Sequence, residues 1–95
     1  MEEKEAINLF LRTRTEDAFS VLFAALYARV RRYFVLRGLE ITISEDLAQN
    51  VLLTVYLRID DVRDEQLFYG WLFKIAKNEL ASYWRQQQAR HTLVQ

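Results

Sequence analysis

The stretch Trp71 to Arg90, WLFKIAKNELASYWRQQQAR, is the one on which the reading of the chain turns. Its apolar residues Leu72, Ile75, Ala76, Leu80 and Tyr83 recur at spacings of three and four, while Lys74, Lys77, Asn78, Ser82 and Arg85 fall largely on other faces. That is the pattern of an amphipathic helix. Aromatic rings beside cations suit a single-stranded nucleic acid, because Lys and Arg neutralise phosphates while ring faces stack on bases. A core helix with a solvated back has the same pattern, so the surrounding sequence has to separate the two.

Outward from that stretch, 95 residues are expected to form one domain spanning 1–95, enough for a single core. Hydrophobic residues at 52% with 27% charged place it among globular chains rather than disordered ones. There is no cysteine and only one histidine, His91, which excludes disulfides and thiolate metal sites. The N-terminal stretch lacks the cationic start and apolar core of a secretory signal, and no apolar run is long enough for a membrane span. A soluble, cytoplasmic protein is expected. The zero net charge hides a pattern: residues 1–20, 21–40, 41–70 and 71–95 carry −2, +3, −4 and +3. Alternating blocks offer two opposite partner surfaces, or a set of helices that neutralise one another.

With no proline, only Gly38 and Gly70, and no sustained period-two alternation, the chain is expected to be all-α, a small three- to four-helix bundle. A lead helix over about 3–12 carries Ala6, Leu9 and Phe10 on one side. Thr13 with Glu16 fits a capping box opening a helix over about 16–37. That helix carries Phe19, Leu22, Phe23, Leu26, Val30, Tyr33 and Phe34 at helical spacing and stops at Gly38 in a left-handed conformation. Arg29, Arg31, Arg32 and Arg37 crowd its last half, where cations also complement the helix dipole. Ser44 is the expected N-cap of a third helix over about 44–59, with Glu45 and Asp46 in its first turn. Leu47, Val51, Val55 and Ile59 form its buried stripe, but Leu52, Leu53, Tyr56 and Leu57 spread apolar character around it, which suits a central helix with Asp46, Gln49 and Asn50 on its outer edge. A fourth helix over about 64–89 follows, capped by Asp61 or Asp64, with Gly70 inside it compensated by close packing.

No Gly-rich phosphate loop, nucleophile elbow or histidine pair is present, so catalytic residues, cofactors and metal ligands are all expected to be none. Asp60, Asp61, Asp64 and Glu65 lack the glycine and oxygen spacing of a calcium loop and read as a solvated turn.

Three strings in order carry a family resemblance: A-F-S-V-L-F-A-A-L-Y at Ala18–Tyr27, E-D-L-A-Q at Glu45–Gln49, and F-Y-G-W-L-F-K-I-A-K-N at Phe68–Asn78 followed by S-Y-W-R at Ser82–Arg85. Together they resemble region 2 of bacterial RNA polymerase sigma factors of the sigma-70 family, specifically the extracytoplasmic-function group, over roughly residues 16–88. The resemblance implies a non-enzymatic transcription initiation module. Asp46, Gln49 and Asn50 would bind core RNA polymerase at the β′ clamp helices. Trp71, Lys74, Lys77, Asn78, Ser82, Tyr83, Trp84 and Arg85 would recognise and melt the promoter minus-ten element, holding the non-template strand of promoter DNA with a base turned out. Trp71 lies beside Leu72 on the apolar side, whereas Trp84 lies off the main stripe and is the better candidate for exposure.

Asn50 stands where the family usually has an acid, Ser82 where it frequently has aspartate, and Gln86, Gln87 and Gln88 where an arginine run is common. The last change implies weaker attraction to phosphate. The acidic loop from Asp60 to Glu65 would repel a flipped nucleotide. No counterpart of the family's helix-turn-helix domain follows, so the expectation is a piece of a longer factor or a solitary region 2. Two alternatives keep the same fold: a module that binds polymerase or an anti-sigma factor without reading DNA, and a helical oligomerisation domain.

Overall fold

Four apolar stripes, one per helix, meet on a common core. The computed structural model describes residues 1–94, with α1 at Glu3–Thr13, α2 at Glu16–Val35, α3 at Ile41–Arg58, a 3-10 turn at Ile59–Asp61, and α4 at Glu65–Val94. No strand occurs among the described residues, and the fold is the expected all-α bundle. Ala6, Ile7 and Phe10 from α1 meet Leu22, Leu26, Val30 and Phe34 from α2, Leu47, Val51, Leu52 and Val55 from α3, and Phe68, Leu72 and Ala76 from α4. Removing each large side chain from water contributes about 1.5–3 kcal/mol, which makes this core the main source of stability. Among the described residues no buried side-chain nitrogen or oxygen lacks a hydrogen-bond partner.

The helix ends show where short-range signals compete. Thr15, not Thr13, caps α2: its hydroxyl accepts the Ala18 N–H at 3.1 Å. Thr13 closes α1 instead, donating to the Leu9 carbonyl at 2.8 Å, while Arg14 takes a left-handed conformation (φ 54°) and returns its N–H to Phe10. At the other end of α2, Gly38 (φ 91°) reverses the chain as its sequence position predicts. The N–H groups of Gly38 and Leu39 bond the carbonyls of Val35 and Phe34, a Schellman arrangement sealed by burial of Leu39 and Phe34. Because Leu39 must reach the core there, α3 begins three residues before the expected Ser44 cap. Ser44 is fully buried within the helix, its N–H bonded to the Glu40 carbonyl at 2.9 Å, and Glu45 and Asp46 lie past the first turn. Asp64 does open α4, its carboxylate accepting the Gln66 N–H at 2.9 Å.

Gly70 is a second correction. It is exposed, and a methyl group added there would meet nothing within 4 Å, so no neighbour requires a glycine. A third concerns α3, whose breadth of apolar surface is only partly central: Leu52 is buried, but Leu53 and Leu57 are 54% and 71% exposed.

One polar cluster clasps the bundle. Glu3 accepts two hydrogen bonds from the Arg29 guanidinium, at 2.7 and 2.9 Å, and a third from the Tyr69 hydroxyl at 3.2 Å. The Arg29 bonds hold the Glu3 carboxyl below the usual carboxylate range; the carboxylate in turn raises Arg29, and burial raises Tyr69. The cluster ties α1 to α2 and α4.

Candidate functional site

α4 is long enough to leave the bundle. At about 1.5 Å per residue its 30 residues exceed the 20 of α2 by several turns, and the molecule is accordingly 50 Å long against 23 and 21 Å across. From Trp84 to Thr92 every residue is exposed except half-buried Gln87. No glycine or proline halts the helix after Gly70, which is why it runs past the expected end near residue 89.

Successive residues turn by about 100° around a helix, and this rotation sorts the candidate DNA-binding residues. Trp71, Lys74, Asn78, Ser82 and Arg85 share one sector of about 80°. Lys74, Asn78 and Arg85 are exposed there, while Trp71 and Ser82 are half-buried along its edge. Trp71 packs on the core beside Phe68, their rings 5.9 Å apart. Lys77 and Trp84 lie outside this sector, on the flank of α4. Both are exposed, with Trp84 at 50%. Tyr83 belongs to the inward face with Phe68, Leu72 and Ala76; it packs against the core and supports Trp84 edge-on at 5.1 Å. The eight candidates therefore form a strip, a flank pair and a support rather than one surface.

On α3, Asp46, Gln49 and Asn50 are all exposed on one outer edge. Leu53 and Leu57 continue that edge at helical spacing, a polar half followed by an apolar one. Sequence periodicity contained this extension but could not tell an outer leucine from a central one. Asn50 is engaged, its amide donating to Glu79 of α4 at 3.0 Å. An acid at position 50, the common residue of the resemblance, would repel Glu79 there; asparagine converts the pair into a hydrogen bond.

The loop between α3 and α4 is the solvent-exposed acidic turn of the sequence reading, with three of its carboxylates engaged. Asp60 pairs with Arg14 from the α1–α2 turn, Asp61 with Arg58 at 2.9 Å, and Asp64 is committed to capping. Ile59 and Val62 are buried beneath it. Pairing and capping mute the repulsion that a run of bare carboxylates would exert on a nucleotide. Among the described residues no group of three or more acidic or histidine side chains could hold a metal ion, and no helix is long and apolar enough to cross a membrane.

An all-helical fold whose longest helix projects a basic and aromatic surface beside a polar-apolar helix edge offers two surfaces for binding partners. The family model for Sigma-70 region 2 matches residues 22–90, and the chain belongs to that family. Region 2 domains are regulatory rather than catalytic and take part in polymerase binding and promoter recognition. Comparison with curated proteins and with solved structures gave no match.

Proposed function

We propose that the chain is a promoter-recognition module of the extracytoplasmic-function type that docks on core RNA polymerase and opens the minus-ten element. Polymerase docking falls to the outer edge of α3, where Asp46, Gln49 and Asn50 meet the β′ clamp helices and the exposed Leu53 and Leu57 add apolar area beside them. The non-template strand lies along the α4 strip, with Lys74 and Arg85 on phosphates, Asn78 and Ser82 bonding base edges or backbone, and Trp71 bordering the track. The observation that carries the reading is the family match together with the exposure of Lys74, Asn78 and Arg85 on one sector of a single helix. None of these three pairs with a carboxylate among the described residues, so their donors are free for a ligand.

Titrating a fluorescent non-template minus-ten oligonucleotide into the protein with core polymerase tests the DNA half. Lys74→Glu and Arg85→Glu are expected to weaken binding, with the loss growing as salt falls. Equal affinity in wild type and both variants would remove the DNA role. For the polymerase half, Asp46→Arg is expected to abolish co-purification with a β′ clamp fragment; undiminished recovery would remove that assignment. An anti-sigma factor competing for the same α3 edge would bind wild type and lose affinity for Leu53→Asp.

A further inference from the structure

The middle of α2 carries no charge on any side. From Ala18 to Ala28, about three turns of a surface helix, the chain reads AFSVLFAALYA, between Asp17 before it and Arg29 after it. Core packing explains one side of that run. Leu22, Leu26, Val30 and Phe34 form the buried stripe, whereas Asp17, Val21, Ala24, Ala25, Ala28 and Arg32 share a sector of about 100° centred nearly opposite it. Of these six, Val21 and Ala25 are half-buried and the other four exposed. A surface helix ordinarily turns charged and polar residues outward, so an outer face that is apolar between its two ends marks a contact surface.

The face is a continuous groove. Met1 and Val21 border one depression, Glu3, Arg32 and Leu36 border another, and the two share Ala25. Met1 and Leu36 stand at its rims, 74% and 69% exposed. Arg29 at its edge is already held by Glu3, which leaves Asp17 at one end and Arg32 at the other, about four turns apart. Neither makes an ion pair among the described residues. An acidic end and a basic end across an apolar middle are complementary to themselves when reversed. Two copies of α2, antiparallel about a two-fold axis between positions 24 and 25, set Asp17 against Arg32 of the second copy and Val21 against its Ala28. Ala25 then lies beside its own counterpart, and small side chains at the centre let the two backbones approach closely.

We propose that this groove is a dimer surface on which α2 pairs antiparallel with α2 of a second copy of the chain. Charge selects the occupant: a second copy neutralises both unpaired ends of the groove at once and leaves neither over. The reversed pairing also sets the acidic N-terminal end of each helix beside the basic C-terminal half of the other, in keeping with their dipoles. The paired length is about 24 Å. One helix face of that length buries less than the roughly 800 Å² per partner of a stable interface, so the dimer is weak and reversible. It uses no residue of the α3 edge or the α4 strip and stands apart from the polymerase and DNA readings.

Sedimentation equilibrium from about 10 μM to about 1 mM, the range of weak complexes, reads the association. Arg32→Asp and Asp17→Arg are each expected to weaken the dimer at least about tenfold, and the double variant Asp17→Arg/Arg32→Asp to recover it, because the two-fold axis restores opposite charges. Circular dichroism checks each fold. The chain has no cysteine, so Ala25→Cys should give a disulfide-linked dimer under mild oxidation, while Gln88→Cys on the exposed end of α4 should not. A wild type that stays monomeric throughout, with no cross-link through position 25, would overturn the proposal. So would a dimer indifferent to Arg32→Asp, or one lost in the single variants and not recovered in the double. If the wild type were monomeric and Ala28→Glu abolished co-purification with core polymerase, the groove would be a contact for another protein and the proposal would be wrong.

Discussion

The two halves of α4 are built from the same kinds of residue and held in opposite ways. From Glu65 to Leu80 the helix sets Phe68, Leu72 and Ala76 into the core and is bonded from both sides, by Glu3 at Tyr69 and Asn50 at Glu79. Among the described residues from Ala81 to Thr92 only Tyr83 packs inward against the core, and Trp84, Arg85 and Arg90 beyond it face solvent. The first half is stabilised by burial and can place Lys74 and Asn78 rigidly. The second continues as a helix because nothing in its sequence stops it, and an isolated helix of that length is marginal in water. Position is thus fixed in one half and supplied to the other by continuity of the backbone.

The largest test of that contrast is Phe68→Ala. Emptying a fully buried aromatic site costs about 3–5 kcal/mol, a large share of the roughly 5–14 kcal/mol expected for a domain of this size, and chemical denaturation should show the unfolding free energy lowered by that amount. In the other half, Trp84→Ala should leave the unfolding free energy within about 0.5 kcal/mol of wild type while weakening DNA binding. A stability loss there comparable to that of Phe68→Ala would mean that the projecting half is packed after all. Gly70→Ala sharpens the picture of the held half: with open space around it, the substitution should stabilise by about 0.5–1 kcal/mol through lower chain entropy in the unfolded state, read as a raised melting temperature. A lowered one would reveal a close approach at that face.

The smallest effect concerns the clasp. Because the folded Glu3 carboxyl titrates below its ordinary value, its bonds to Arg29 add stability at pH above the ordinary carboxylate range, and that addition vanishes as pH falls through the lowered folded value. Arg29 is half-exposed, so the gain is on the order of 1 kcal/mol or less. Glu3→Gln should therefore melt slightly below wild type at neutral pH, and the two should converge in acid. A constant gap across the titration would show that the charge is not what matters.

Much of this was legible beforehand. Helical spacing identified the buried stripes of α2 and α3, and the lone Gly38 marked the turn where only a left-handed residue closes the helix. What failed were choices between adjacent candidates. Thr13 and Thr15 are equally good caps by residue type, and only the satisfaction of the Leu9 carbonyl by Thr13 decides between them. Ser44 obeyed the capping rule but lost to the burial of Leu39, which starts the helix early. Within the candidate site, helical rotation sets Lys77 about 60° from Lys74 and about 80° from Arg85, on the flank of the strip rather than within it. That Tyr69 meets Arg29 and Phe73 meets Tyr33 follows only from the register of two helices forty positions apart in sequence, which no local pattern encodes.

The clasp also has an order in time. Glu3 and Tyr69 are separated by 66 residues, and at a synthesis rate of roughly 5–20 residues per second the acid waits some 3–13 s for the hydroxyl it will accept from. Arg29 emerges well before Tyr69, so α1 and α2 can pair while the rest of the chain is still being made. On the ribosome the N-terminal hairpin comes first, and the last long helix, the one that carries the strip, locks it.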